Sequence, residues 1–361
     1  MRKINKFGYL LVFTIPISFL LSYYADNIYA LYSLPFVMFI CMPFIDPLFG
    51  LDNQNYDADH EKELKDQSYY RYVLHAWAYT QTAMMIWLVY IFSTTDISFT
   101  YIVPMVLNTM IMNGGAGIVV AHELGHKNNK LDKYLAKLLL IQVFYAHYTV
   151  KHNRGHHVHV GTPLDTATSK LNQSFYSFWL QSVWGGFVSA IKIENDYLKA
   201  KKKKITLFNH EVWNSLILSI LFFVLCASIV AYFNEVMLLN FIVFYVFQTF
   251  LSFSLLESVD YIEHYGMVRQ LKDDNTYEKT NASHSWNANF ILSNYFLFQL
   301  QRHSDHHLYA TKNYQILKQY DESPQLPNGY PAMILLTLIP PIWFRIMNER
   351  LNKWKKENAK N

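Results

Sequence analysis

Six apolar segments, each close to the length that crosses a bilayer, constrain the fold of this chain more than any other feature. A membrane-spanning helix needs about 20 mostly apolar residues. Segments of this kind occupy residues 7–24, 28–45, 72–92, 99–121, 212–233 and 236–256, and none of them contains a Lys or Arg. Because a helix satisfies its own backbone hydrogen bonds within the membrane, we predict an all-α polytopic membrane protein with six transmembrane helices.

The basic residues predict how these segments are oriented. The segments pair into three hairpins whose connectors, residues 25–27, 93–98 and 234–235, hold no Lys or Arg, so all 31 basic residues fall on the opposite side. Basic residues accumulate on the cytoplasmic side of a membrane. We therefore predict a multi-pass protein of the inner (cytoplasmic) membrane, folded as one domain over residues 1–361, with both termini in the cytoplasm. The predicted cytoplasmic portions are residues 46–71, 122–211 and 257–361.

Nine of the fifteen histidines lie in four clusters that begin at, or follow, the cytoplasmic ends of the fourth and sixth segments. They are His122 and His126; His152, His156 and His157; His264; and His303, His306 and His307. Imidazole is the commonest metal ligand among side chains, and residues three or four apart share one face of a helix. We therefore expect each multi-histidine cluster to aim its imidazoles at one point. Nine nitrogen ligands are too many for one tetrahedral zinc, which takes four. The clusters predict a dimetal site, with four or five histidines for each ion, at the cytoplasmic mouth of the bundle.

Other polar residues are expected to support these ligands or the fold. A carboxylate that accepts a hydrogen bond from a ligating imidazole fixes the tautomer of the ring. The candidates for this role are Glu123, Asp165, Glu263 and Asp305. We interpret His284 as a supporting or structural residue. The remaining histidines, which we interpret as structural or solvent-facing, are His60, His75, His147, His159 and His210.

Three further apolar stretches are not predicted to span the membrane. Residues 134–150 are short and interrupted, and residues 175–193 are Trp-rich, as is typical of a segment that lies at the membrane interface. Residues 330–346 are broken by three prolines, which favours a re-entrant or interfacial segment. The cysteines, Cys41 and Cys226, lie inside predicted spans and are interpreted as small buried apolar residues.

Two compositional features have simple interpretations. The lysine-rich run at residues 199–204 precedes a predicted span, so contact with anionic lipid headgroups is a better interpretation than nucleic-acid binding, for which no recognition fold is present. Small residues at 113–117 are typical of close helix packing, and space for a substrate channel is the alternative interpretation.

Two other functional classes share part of this pattern. His122-Glu123-Leu-Gly-His126 matches the H-E-x-x-H motif of zinc metalloproteases, in which Glu is the general base. A membrane protease of this kind leaves most of the clustered histidines unused. A metal transporter or store is expected to place its ligands at mid-membrane depth, whereas these clusters lie at one face.

The full strings around the histidines are more specific than their spacing. The chain contains HELGHK at 122–127, HNRGHH at 152–157, YIEHYG at 261–266 and LQRHSDHH at 300–307. Three histidine boxes are typical of membrane desaturases and hydroxylases, and these strings resemble the integral-membrane alkane 1-monooxygenase (alkane ω-hydroxylase) family. Supporting strings are TPLD at 162–165, HSWN at 284–287 and LPNGYP at 326–331.

The resemblance implies a diiron enzyme that uses O2 to convert medium-chain alkanes to primary alcohols. It implies that the nine clustered histidines are the iron ligands, with His264 assigned mainly on this basis. It also implies electrons from rubredoxin, which an NAD(P)H-dependent reductase reduces. The chain has no Cys-x-x-Cys pair, so we expect a separate rubredoxin. A desaturase or a hydroxylase of another substrate is the nearest alternative.

The chain departs from the family pattern at three places. Lys151 stands where Glu is usual before His152, and Asp260 replaces Asn before Tyr261. Residues 308–311, Leu-Tyr-Ala-Thr, replace the usual Ala-x-Pro-Thr. Because every ligand position is retained, we expect these changes to affect substrate, rate or donor docking more than metal binding.

Overall fold

The structure, a computed structural model, describes residues 5–358, and the regular secondary structure of that range is helical apart from isolated β-bridges. The helices are α1 (Lys6–Tyr24), α2 (Ile28–Phe49), α3 (Ala58–Asp66), α4 (Tyr69–Thr94), α5 (Phe99–Gly125), α6 (Lys130–Ile141), α7 (148–159), α8 (Phe175–Ala200), α9 (Glu211–Phe233), α10 (Glu235–His264), α11 (Ile291–Phe296), α12 (His303–Leu308), α13 (Tyr330–Thr337) and α14 (Pro340–Asn358). The predicted all-α class is confirmed.

Five helices in the described range, namely α1, α2, α5, α9 and α10, are long and apolar enough to cross a membrane. They indicate a membrane protein. The third predicted segment lies in α4, which is 26 residues long but is not among the five. The sequence of α4 is more polar than those of the five helices. Its polar side chains are paired inside the protein: Gln81 donates to Gln142 at 3.0 Å, and His75 contacts Asp132 at 2.6 Å. The predicted count of six is therefore not confirmed.

Helices α5 and α10 pack along one another and hold the ends that carry His122 and His264. Their close approach depends on small residues in α5, because a Cβ added at Gly114 would lie 2.6 Å from the backbone oxygen of Ser252. Asn113 also donates to Gln248 across the interface at 3.0 Å. This supports the packing interpretation of residues 113–117.

The three apolar stretches that were predicted not to span are interrupted or one-sided. Helix α6 ends at Ile141, and the chain turns through Phe144, whose φ is +53°. Residues 175–193 form part of α8, which buries one face and exposes the other. Residues 330–346 are divided between α13 and α14, and Pro340 begins the second helix, where a proline is tolerated.

Two short π-helical stretches lie in elements that carry histidines. Ile111–Gly117 precedes His122 within α5, and Lys151–His156 forms the centre of α7. A π-helical turn widens the helix, so that side chains five residues apart come onto one face. A continuous cluster of buried apolar side chains extends from Tyr9 in α1 to Leu351 in α14 and encloses these elements.

Candidate metal centre

The nine clustered histidines come together in two groups. The first group contains His122, His126, His152, His157 and His306, and the second contains His156, His264, His303 and His307. Within each group the candidate ligand nitrogens all lie within 4.8 Å of one another. Every ring is buried except that of His157, which is half-buried. The division into five and four matches the number of ligands expected for each of two ions.

The expectation that each sequence cluster aims at one point is wrong for two of the three clusters. In α7, Nε2 of His152 and Nε2 of His157 lie 3.0 Å apart in the first group, whereas Nε2 of His156 lies 3.2 Å from Nε2 of His307 in the second. The π-helical turn explains this, because it brings residues five apart to one side and turns His156 to the other.

Helix α12 is divided in the same way. Its His306 lies 2.9 Å, Nε2 to Nε2, from His122 in the first group. His303 and His307, four residues apart on the other face, approach each other to 2.9 Å in the second group. Helices α7 and α12 thus each contribute ligands to both groups, so the two halves of the chain form the centre jointly.

The spacing of the ring nitrogens suits bound cations. Nε2 of His306 faces Nε2 of both His122, at 2.9 Å, and His157, at 3.0 Å. A neutral imidazole carries only one N–H, so a cluster of converging Nε2 atoms cannot satisfy all of its members through hydrogen bonds. A cation bound by the Nε2 lone pairs satisfies all of these nitrogens together. The residues therefore fit a metal site with an all-nitrogen donor set.

Burial keeps His152, His303 and His306 in the form that binds metal. Desolvation, reinforced by the charges of neighbouring histidines, holds the pKa of His152, His303 and His306 well below the usual value. These rings are therefore neutral near pH 7, with a lone pair available on Nε2.

Asp165 orients one ring of the second group. Its Oδ2 lies 2.8 Å from Nδ1 of His156 and also accepts a hydrogen bond from Thr168 at 2.6 Å. Burial favours the neutral carboxyl, but His156 and these hydrogen bonds outweigh it and lower the pKa of Asp165 to about 2. An ionised Asp165 fixes the proton of His156 on Nδ1 and leaves Nε2 free to bind a metal.

His264 is oriented by a backbone group that sequence reasoning could not identify. Its Nδ1 donates to the carbonyl oxygen of His284 at 3.2 Å. The side chain of His284 accepts a hydrogen bond from the backbone N–H of Asn281 at 3.0 Å and contacts Glu278 at 3.1 Å. His284 therefore combines the supporting and structural interpretations, since its carbonyl supports the site while its ring secures the loop.

Glu263 reaches the second group from the side of the ligand nitrogens. Its Oε2 lies 3.2 Å from Nε2 of His303, and its Oε1 accepts a hydrogen bond from the Tyr330 hydroxyl at 2.6 Å. The carboxylate of Glu263 therefore contacts Nε2 of His303, the nitrogen on the metal side of the ring. The sequence-based expectation was that Glu263 would accept a hydrogen bond from the other ring nitrogen of a ligand.

The other two candidate carboxylates secure the surrounding loops. Glu123 pairs with Lys127 at 2.6 Å and accepts the backbone N–H of Tyr314 at 3.2 Å. Asp305 pairs with Lys312 at 2.7 Å and accepts the Tyr320 hydroxyl at 2.7 Å. Over residues 5–358 neither carboxylate has a hydrogen bond or ion pair to the nine histidines. None of the five unclustered histidines belongs to either group.

Lys151, a departure from the family pattern, occupies a buried position beside the ligands. Its Nζ lies 2.9 Å from Glu257, 3.7 Å from Asp260 and 2.8 Å from the Ser182 hydroxyl. Two of the departures, Lys151 and Asp260, are therefore partners in one charge network. Gly186 leaves room for the lysine, because a Cβ there would lie 2.8 Å from its side chain. The paired departures were the only sign of this network in the sequence.

A narrow apolar cavity of about 60 Å³ is linked to the second group through Tyr330, which lines it, and Glu263. Val119 and Leu300 line it, each three residues before a histidine of the centre, and so does Tyr330, which donates to Glu263. Gly114 and Gly115 contribute to the same wall. The small residues of α5 thus serve helix packing and also border a cavity, so both interpretations of residues 113–117 have support.

The sequence matches a family model described as fatty acid desaturase over residues 97–337. It is 39% identical to alkane 1-monooxygenase of Acinetobacter baylyi over 90% of this chain and 78% of that protein. It is 37% identical to alkane 1-monooxygenase 2 of Pseudomonas aeruginosa over 98% of this chain and 94% of that protein.

The chain belongs to the alkane 1-monooxygenase family. A more distant relative is the xylene/toluene monooxygenase hydroxylase component XylM of Pseudomonas putida, at 26% identity over 70% of this chain and 66% of that protein. The recognition made from the histidine strings is confirmed. The family matches support an oxygenase, and the two histidine groups suit its metal site.

Proposed function

We propose that this protein is an O2-dependent diiron monooxygenase that hydroxylates the terminal methyl group of medium-chain alkanes to give primary alcohols. One observation carries the proposal: nine imidazoles converge in groups of five and four, and Tyr330 and Glu263 link an apolar cavity to His303 of the second group. The names of the relatives, alkane 1-monooxygenases, support the substrate class.

In this proposal two irons are held by the nine histidines. A terminal C–H bond is strong and unpolarised, so acids and bases cannot break it, and bound iron supplies the activation of O2. The residues around the nine histidines hold these ligands in position and exclude water from the site. Asp165 and the His284 carbonyl fix ring tautomers from behind, while Glu263 and Tyr330 form a polar pair between the cavity and His303.

The apolar cavity supports a route for the hydrocarbon. Its volume of about 60 Å³ is well below the roughly 300–1,000 Å³ of typical ligand pockets, so a whole alkane needs side chains to move. Met38 and Met42 line the cavity, and methionine side chains rearrange easily. We propose that the alkane enters from the bilayer and places its methyl end beside the second histidine group.

We further propose that the electrons come from a separate rubredoxin, reduced by an NAD(P)H-dependent reductase. The proposed setting is the inner membrane, with residues 1–361 forming one domain and the metal centre on the cytoplasmic side. His122 and His264 lie at the same end of the packed pair α5 and α10, which supports a centre at one face of the membrane.

Two alternatives have specific implications. A desaturase or another hydroxylase is favoured by the description of the family model and by the aromatic substrates named for XylM, and product analysis distinguishes it. A zinc protease needs Glu123 as a free base, whereas its carboxylate is paired with Lys127 and the Tyr314 backbone.

The test is product formation by purified protein supplied with rubredoxin, its reductase, and octane, dodecane or fatty acids, with products identified by gas chromatography. We expect 1-alkanols that carry oxygen from labelled O2. His156→Ala and His306→Ala, one from each group, should abolish the product and lower bound iron, whereas His159→Ala should retain both. Alkenes or hydroxylated fatty acids as the sole products would contradict the proposal.

A further inference from the structure

Helix α8 and the turn that follows it form a surface that has no part in the proposed chemistry. One face of α8 packs against α7 and α10 through residues that include Ser182, Gly186 and Ala190. The opposite face exposes large apolar side chains every four residues: Tyr176, Leu180, Trp184 and Val188. Trp184, the largest of them, is 71% exposed. A helix with one such face is typical of segments that lie in the membrane interface.

The turn after α8 adds a basic cluster and an apolar tip. Five lysines lie between residues 199 and 204, all of them exposed, and no acidic residue lies between 199 and 208. Leu207 and Phe208 follow, 56% and 85% exposed. The tip is ordered by reciprocal hydrogen bonds, in which the backbone N–H of Thr206 donates to the Asn209 side chain at 2.9 Å and that of Asn209 donates to the Thr206 hydroxyl at 3.3 Å.

The position of this turn indicates what covers it. The membrane-spanning helix α9 begins at Glu211, three residues after Phe208, so the turn lies where the chain enters the bilayer. Exposed apolar side chains beside a lysine cluster complement a lipid with an anionic headgroup and acyl chains. Asp196, one turn before Lys199, is the nearest exposed acid that precedes the cluster.

We propose that the exposed face of α8 and the turn at residues 199–208 form a binding surface for anionic phospholipid. The lysines contact the headgroup phosphate, and Leu207 and Phe208 lie among the acyl chains. This inference does not depend on the proposed oxygenase activity. The same helix supports the metal centre, because Arg154 of α7 pairs with Glu194 of α8 and Lys151 donates to Ser182. Lipid bound here would therefore stabilise the element that carries three ligands.

The test uses the purified full-length protein in neutral detergent, titrated with phosphatidylglycerol or phosphatidylcholine. Retained lipid is counted by native mass spectrometry, and the midpoint of thermal unfolding is recorded. We expect preferential retention of phosphatidylglycerol and a higher midpoint. The variant Lys201→Gln/Lys202→Gln/Lys204→Gln should weaken that preference about tenfold or more, because each lysine near an anionic lipid surface strengthens the electrostatic attraction to it.

A matched variant, Lys62→Gln/Lys272→Gln/Lys279→Gln, removes the same charge from exposed positions elsewhere and should retain the preference. Leu207→Ser/Phe208→Ser should weaken retention of both lipids. Equal retention of the two lipids by the unmodified protein, or an undiminished preference in the first variant, would overturn the proposal. Displacement of the lipid by inorganic phosphate would identify a simple anion site and would also overturn it.

Discussion

At the scale of residues, the centre depends on which nitrogen of each imidazole is free. The Nε2 atoms converge, while Nδ1 of His156 faces Asp165 and Nδ1 of His264 faces the His284 carbonyl. Each contact places the ring proton on the side away from the site. Burial keeps neighbouring ligands such as His152, His303 and His306 neutral, which completes this arrangement, because a protonated ring has no lone pair to offer.

Asp165→Asn tests the role of the carboxylate behind His156. The amide retains the shape but loses the negative charge that holds the His156 proton; in the unmodified protein His156 and the hydrogen bonds to Asp165 preserve that charge by lowering the pKa of Asp165 to about 2. We expect metal affinity to fall about 10- to 100-fold, measured as iron retained against increasing chelator. Asp196→Asn, at an exposed acid of α8, is the control. Unchanged retention in Asp165→Asn would show that this carboxylate does not support a ligand.

All nine histidines that converge in the structure were predicted from the sequence, because their spacing and the family motifs around them are visible in the sequence itself. Of the four carboxylates, only Asp165 lies behind a ring as expected. Glu123 and Asp305 instead pair with Lys127 and Lys312. Which acid reaches which imidazole depends on how distant loops fold back, and the local sequence does not encode that information.

At the scale of elements, α7 connects the two histidine groups to each other and to helices α8 and α10. Its π-helical turn divides three histidines between two groups, and Lys151 fixes it to α10 through Glu257 and to α8 through Ser182. Ideal helical spacing predicts one shared face for such a cluster. The division of ligands depends on the wider turn, which ideal helical spacing does not predict.

Lys151→Met tests this connection. The substitution leaves Glu257 and Asp260 buried without their cationic partner, and breaking a buried ion pair costs about 3–5 kcal/mol. We expect a clear decrease in the midpoint of thermal unfolding in detergent. Lys133→Met, at an exposed lysine, should change the midpoint little. Equal midpoints for the two variants would contradict the structural role of the network.

Substitutions at two neighbouring glycines of α5 test helix packing and cavity shape separately. A Cβ at Gly114 would clash with the Ser252 backbone, whereas a Cβ at Gly115 meets only the Leu255 side chain, at 3.7 Å. Gly114→Ala should therefore destabilise the protein. Gly115→Val should fold, narrow the cavity, and reduce kcat/KM for dodecane more than for octane, measured with both alkanes. An equal reduction for the two alkanes would exclude this wall from the substrate route.

At the scale of the whole molecule, the proposed orientation rests on the distribution of charged residues along the chain. Five helices of the described range are apolar enough to span, whereas the more polar α4 pairs its polar side chains inside the protein. The helical class followed from the sequence, and His122 and His264 lie at the same end of the packed pair α5 and α10, as the predicted single-face location requires.

Reporter fusions test the topology. With six crossings, a periplasm-active phosphatase fused after Asn234, in the connector of the third hairpin, should be active. A cytoplasm-active fluorescent protein at the same point should be dark. Fusions after Asn128 and at the C-terminus should show the reverse pattern. Periplasmic activity of a fusion after Asn128 would place the metal centre on the wrong side for a cytoplasmic electron donor.

The central claim is a pair of irons held by nine imidazoles, and metal stoichiometry tests it most directly. Elemental analysis of active, purified protein should give two irons per polypeptide, with less than one equivalent of zinc. Mössbauer spectra should show iron in nitrogen-rich environments. Zinc alone, or a single ion per polypeptide in fully active material, would contradict the account.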